Sequence, residues 1–147
     1  MPSPSGCASP PAEYLVVTGG GGGVGLHAIQ LGKMLGARVM GVNLGEAKAD
    51  AMREAGAEAT VDPGEEDLAD AAREWSGRGV DGVLELVGPA TMTATMTATL
   101  AALAKGGRMV IVGSHTGSEW TIDPGSVYRN EWKILARATS WSTRLPP

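Results

Sequence analysis

The chain has 147 residues, enough for one domain that buries roughly 70% of its unfolded surface and holds a core without staples. Charged residues are 19% and the formal net charge is −4, so there is no basic excess to draw the protein to nucleic acid or an anionic membrane. A single cysteine, Cys7, excludes an internal disulfide, no stretch approaches the roughly 18 apolar residues of a membrane span, and the N-terminus lacks the basic flank and apolar run of a signal peptide; the expectation is a cytoplasmic protein.

Residues 1–12, MPSPSGCASPPA, are rich in Pro, Ser and Gly and read as a disordered lead. Residues 13–147 read as one domain of alternating short apolar runs and helical stretches, the pattern of βαβ units around a parallel sheet. Tyr14–Thr18 is a first buried strand. Val24, Ala28, Leu31 and Leu35 recur at helical spacing and predict the buried stripe of a first helix. Arg38–Val42 is a second strand. Ala47, Ala51 and Ala55 mark a second helix, which Gly56 ends. Ala59–Val61 is a short third strand, closed by Asp62-Pro63-Gly64. Leu68, Ala72 and Trp75 give a third helix. Residues 80–87 contain a fourth strand. Met92, Met96, Leu100 and Leu103 give a fourth helix. Gly106-Gly107 turns into a fifth strand, Arg108–Val112. A short helix over 124–131 and a sixth strand over 133–138 complete the series. Right-handed crossovers favour a doubly wound sheet of about six strands in the order 3-2-1-4-5-6, with a ligand above the ends of strands one and four.

Residues 91–98 read TMTATMTA, one four-residue unit twice. On a helix this stacks Met92 over Met96. The preferred reading is a core stripe with a local duplication; a methionine-rich cofactor contact is the alternative.

Between the first strand and first helix lies TGGGGGVGLHAIQLG, which contains Gly20-x-Gly22-x-x-Gly25. In a turn of this kind the first glycine permits a tight bend. The second lets a pyrophosphate reach the backbone, and the third lets helix and strand approach. A helix starting near Gly23 offers free N–H groups and the positive end of its dipole to a phosphate. The strand before and the helix after supply the context that the motif needs. The run also fits Thr18-Gly19-x-x-x-Gly23-x-Gly25, the pattern of short-chain dehydrogenases, but their Tyr-x-x-x-Lys pair is missing. Tyr128 is followed at that spacing by Trp132, and Tyr14 by Thr18.

The segment TGGGGGVGLHAIQLGKMLGARVMGV resembles the nucleotide-binding segment of the medium-chain dehydrogenases/reductases, the superfamily of zinc-type alcohol dehydrogenases and quinone oxidoreductases. EAKADAMREAGAEATVD, GRGVDGVLELVG, AKGGRMVIVGS and EWKILARATSWSTR continue the resemblance in order, over about residues 14–144. It implies a Rossmann-type α/β fold that binds NAD(P). Gly20, Gly22, Gly23, Val24 and Gly25 would hold the pyrophosphate. Val87 and Gly88 would lie beside the cofactor, and Val112, Gly113 and Ser114 near the nicotinamide ribose. Plain strand termination is the competing reading of both Val-Gly pairs.

The end of strand two decides between NAD and NADP, because an acidic residue there bonds the ribose 2′-hydroxyl and repels a 2′-phosphate. Here Asn43 takes the acidic position. Lys48 matches a lysine that lies near the adenosine ribose in this superfamily, although an ordinary solvated helix lysine would look the same. NADP(H) is therefore favoured over NAD(H).

The resemblance also implies that the GroES-like catalytic domain of a complete member is absent from this chain. Cys7, His27 and His115 show no ligand spacing, so no zinc is expected here and no catalytic residue is assigned. The parent activity would be hydride transfer to a carbonyl, an enone or a quinone, with the catalytic domain supplied by a separate chain. A homodimer through the sixth strand is also implied. The alternatives are a catalytically inactive nucleotide-binding or dimerisation module, and a methyltransferase. Asn43 disfavours the methyltransferase, which wants an acid there.

Overall fold

The computed structural model describes residues 11–88, 93–113 and 119–137. The elements run β1 (Tyr14–Thr18), α1 (Gly23–Met34), β2 (Arg38–Val42), a 3₁₀ turn (Glu46–Lys48) continuing into α2 (Ala49–Ala55), and β3 (Ala59–Val61). They continue with α3 (Leu68–Ser76), β4 (Val80–Glu85), α4 (Thr93–Ala102), β5 (Leu103–Ile111), α5 (Pro124–Asn130) and β6 (Lys133–Ala136). The six strands form one parallel sheet in the order β3-β2-β1-β4-β5-β6. The fold is the doubly wound α/β arrangement that the sequence predicts.

Helices cover both faces of the sheet, so the central strands are apolar without alternation. On one face Val16, Met40, Val83 and Met109 pack with Ala72 of α3 and with Met96 and Leu100 of α4. On the other, Val17 and Val39 pack with Ile29 of α1 and Met52 of α2. Local chemistry sets the helix ends. Asp67 caps α3 by accepting the Asp70 N–H at 2.8 Å, and Gly77 ends it in the left-handed region. Gly56, at φ 119°, ends α2 as expected.

The predicted stripe of α1 is overturned at three of its four residues, Ala28 alone packing half-buried against the core. Val24, Leu31 and Leu35 are 66%, 57% and 87% exposed. The buried face is Gly25, Ile29 and Gly32 instead. A Cβ on Gly32 would stand 3.0 Å from Val39 Cγ2 and 3.2 Å from Leu15 Cδ2, so the helix sits on its smallest residues. α1 is apolar on two sides, and closeness of approach selected the side with glycines.

The fourth helix and fifth strand also divide differently from expectation. Leu103 leaves the helix and begins β5, and Gly106-Gly107 lies inside that strand. The pairing with β4 shifts between Val80 and Gly82, where β5 bulges. Met96 and Leu100 occupy the core as expected, at 2% and 6% exposure; Met92 lies outside the described residues. The sixth strand ends at Ala136, short of the predicted Ala138, which is also outside the described residues. Among the described residues no helix is long and apolar enough to cross a membrane.

Candidate nucleotide-binding crevice

Strand order reverses at β1, whose neighbours β2 and β4 lead away in opposite directions. The loops above β1 and β4 therefore diverge and leave a crevice at their C-terminal ends. A cavity of about 520 Å³ occupies this place. Its floor is Gly19, Gly22, Gly23, Val24 and Gly25, and Asn43 and Lys48 stand at one end. Leu86, Val87, Val112 and Gly113 form the opposite wall.

The glycine turn is built from the backbone. Its left-handed residue is Gly19, at φ 62°. The tight bend expected at Gly20 thus falls one residue earlier. The need for glycine at position 20 is steric, since a Cβ there would stand 2.8 Å from Met52 Sδ and 3.2 Å from the Val17 carbonyl oxygen. Gly20 N–H donates to the Val42 carbonyl at 3.0 Å and Gly22 N–H to the Gly19 carbonyl at 3.1 Å. Gly25 meets its predicted role, because any Cβ on it would collide with the backbone of Gly19 and Gly20.

Gly22 is the N-cap of α1, with no side-chain cap and no acidic residue in the first turn. The Leu26 N–H takes the Gly22 carbonyl at 2.9 Å, so the N–H groups before it have no helical acceptor. A Cβ on Gly23 would meet nothing within 4 Å, and one on Gly22 only the Gly19 carbonyl oxygen at 3.5 Å. The cradle is open to an anion just where the helix dipole favours one.

Asn43 follows β2 and accepts the Gly21 N–H on Oδ1 at 3.3 Å. Its Nδ2 donates to the Leu44 carbonyl at 3.1 Å. Lys48, in the 3₁₀ turn, lays its stem against Gly21, where a Cβ would come within 2.6 Å of it. Lys48 is the one charged residue among the described residues lining the cavity.

The structure thus brings together Gly22, Gly23, Val24, Gly25, Asn43, Lys48, Val87, Val112 and Gly113. Gly20 lies buried beneath the turn. Gly88, at φ 97°, follows Val87 without lining the cavity. Ser114 and His115 lie outside the described residues. His27 is exposed on α1, with Nδ1 2.7 Å from the Gly23 carbonyl oxygen, a contact within its own helix. Sequence reading missed Thr18, Gly19, Glu85 and Leu86. Glu85 had a signal: it is an acid inside the apolar run VLELV.

A doubly wound sheet with an uncapped glycine turn at its switch point defines a Rossmann-type nucleotide-binding domain. The sequence profile of the zinc-binding dehydrogenases matches residues 23–143, and the chain belongs to that family. It is 36% identical to an NAD-dependent alcohol dehydrogenase of Saccharolobus solfataricus over 105 residues, 70% of this chain and 29% of that one. It is 34% identical to an acryloyl-coenzyme A reductase of Sulfurisphaera tokodaii over 129 residues, 87% of this chain and 36% of that one. Among solved structures, a mycobacterial protein complexed with NADPH superposes with a TM-score of 0.76 at 29% identity. That match covers 88% of this chain and 41% of the other. The chain spans about a third of the length of these curated relatives.

Proposed function

We propose that this chain is the cofactor-binding domain of an NAD(P)-dependent oxidoreductase, with NADP(H) favoured over NAD(H). The uncapped N-terminus of α1 above open glycines carries the reading. Its backbone N–H groups suit a pyrophosphate, and no carboxylate lines the described part of the cavity. Gly20, Gly22, Gly23, Val24 and Gly25 form the phosphate turn. Asn43 and Lys48 receive the adenosine ribose. Val87, Gly88, Val112, Gly113 and Ser114 flank the nicotinamide half. Lys48 supplies a cation for a 2′-phosphate, and Asn43 supplies no charge to repel it. The relatives' dependence on NAD, and the neighbour solved with NADPH, support a nicotinamide cofactor of either kind.

When bound, the cofactor supplies a hydride; the protein's share is to hold the dinucleotide and exclude water around it. In the intact enzyme the acceptor is a carbonyl, an enone or a quinone. A catalytic half completes the pocket in the intact enzyme, and the proposal assigns neither a catalytic residue nor a zinc ligand to this domain. β6 is an edge strand and is the proposed homodimer contact, and the proposed location is the cytoplasm.

Titration of the purified chain with NADPH and NADH, followed by nicotinamide fluorescence, tests the proposal. Saturable binding, tighter for NADPH, supports it. Tighter NADH binding reverses the cofactor preference. Absence of binding for both at millimolar concentration overturns the cofactor assignment for this domain.

A further inference from the structure

We infer that Glu85 is a positioning residue that holds the three loops of the crevice in one arrangement. It is the last residue of β4, is 1% exposed, and lies below the cavity without lining it. The inference deepens the cofactor-binding reading and rests on it for its functional consequence.

Five hydrogen bonds converge on this residue. Its Oε1 accepts from Thr18 Oγ1 at 2.8 Å, from the Val87 N–H at 3.0 Å and from the Gly88 N–H at 3.2 Å. Its backbone carbonyl accepts the Val112 N–H at 2.9 Å and the Gly113 N–H at 3.3 Å. Thr18 closes the set, since its hydroxyl oxygen also accepts the Leu86 N–H at 3.0 Å. The segments joined are the start of the glycine turn after β1, the loop after β4 and the loop after β5. Those three segments are the floor and far wall of the cavity.

The main-chain bond from Val112 continues the β4–β5 ladder, but ordinary strand pairing does not need the three bonds on Oε1. An acid fully inside an apolar sheet is costly unless its oxygens are paired. Here one oxygen is paired three times, while Oε2 has no hydrogen-bond partner among the described residues. An apolar residue at this position would leave the Thr18 hydroxyl and the Val87 and Gly88 N–H groups without this acceptor. What the carboxylate supplies is an acceptor for two consecutive amides of the Val87-Gly88 turn, joined to β1 through Thr18. The loops are thereby fixed before any ligand arrives, and preorganisation of that kind appears as affinity.

The role is selective along the crevice. Four of the five Glu85 bonds go to the two loops opposite Asn43 and Lys48, which stand at the adenosine end of the proposed site, and one goes to Thr18 at the end of β1. Removal of Glu85 should therefore weaken a whole dinucleotide more than an adenosine fragment.

The test compares wild type with Glu85→Ala, Glu85→Gln and Thr18→Val, at a temperature where circular dichroism shows each folded. Amide hydrogen exchange on the ligand-free chain reads Val87, Gly88, Val112 and Gly113. In Glu85→Ala all four amides lose protection together, although the carbonyl that accepts the last two remains. Glu85→Gln restores protection, because its amide oxygen replaces Oε1. Loss confined to Val87 and Gly88 would overturn the inference. If Glu85→Ala does not fold, Thr18→Val makes the same test and should deprotect Leu86, Val87 and Gly88 with Val112 and Gly113.

Binding is the second readout. Affinity for NADPH should fall about tenfold or more in Glu85→Ala and be restored to within about threefold in Glu85→Gln, while affinity for 2′,5′-ADP stays level. Equal losses for both ligands, or none, would overturn the inference. If wild type binds no dinucleotide, the cofactor reading fails, and hydrogen exchange still decides whether Glu85 couples the loops.

Discussion

A Cβ placed on Gly25 would stand 2.2 Å from the carbonyl oxygen of Gly19, a backbone atom with nowhere to move. Helix α1 can leave strand β1 at this angle only with glycine there. Gly25→Ala should cost about 3 kcal/mol or more, at the upper end of overpacking penalties. Gly23→Ala has open space around its Cβ and should leave stability equal or raise it by about 0.5 kcal/mol. Urea denaturation separates the two, and equal losses would refute the steric account of the turn.

The buried face of α1 gives a second contrast. Ile29 is fully buried and Leu35 is 87% exposed. Ile29→Ala should cost about 2–5 kcal/mol, and Leu35→Ala less than about 0.5 kcal/mol. A large loss at Leu35 in the isolated chain would restore the stripe expected from periodicity.

Asn43 already accepts the Gly21 N–H on Oδ1, and an aspartate would keep that bond while adding a charge. Asn43→Asp should move the NADH-to-NADPH affinity ratio toward NADH by about tenfold or more. Lys48→Ala should weaken NADPH more than NADH. Paired fluorescence titrations check both, and an unchanged ratio would remove Asn43 from cofactor selection.

Asp81 links the ends of β1 and β4. It accepts the Tyr14 N–H at 2.8 Å and pairs with Arg78 through both oxygens, at 3.1 and 3.0 Å. Partial burial pushes its carboxyl up, but the bonds from Arg78 and the Tyr14 N–H outweigh burial and hold it below the usual carboxylate range. A lowered folded-state pKa means that the stabilisation is present above the unfolded value and disappears as pH falls through the folded one. Asp81→Asn should therefore cost about 1–2 kcal/mol near neutral pH, and the gap from wild type should close on acidification below about pH 4. Urea midpoints across that range test this; a gap that is constant with pH would exclude the charged pair as its cause.

Much of the crevice was legible because its parts are local. The run from Gly19 to Gly25 sits between a strand and a helix, so turn, helix start and anion cradle follow from some ten consecutive residues. Asn43 was placed by its position at the end of β2, and Lys48 by the family resemblance. The details that failed are those in which two segments compete for one space. Left-handed geometry fell on Gly19, while Gly20 is packed against Met52 and Val17. Leu103 joined β5 by pairing with Val80.

Taken alone, the sequence determined the parallel, doubly wound sheet and the place of its crevice. Strand periodicity, capping residues and right-handed crossovers are rules that a chain obeys segment by segment. Tertiary structure alone decided which side of α1 is buried, because that helix is apolar on both sides and the choice depends on how close Gly25 and Gly32 let it come to β1 and β2. It also decided the meeting of Thr18 with Glu85. Those residues are 67 positions apart, and only the pairing of β1 with β4 brings a hydroxyl and a buried carboxylate to one point beneath three loops.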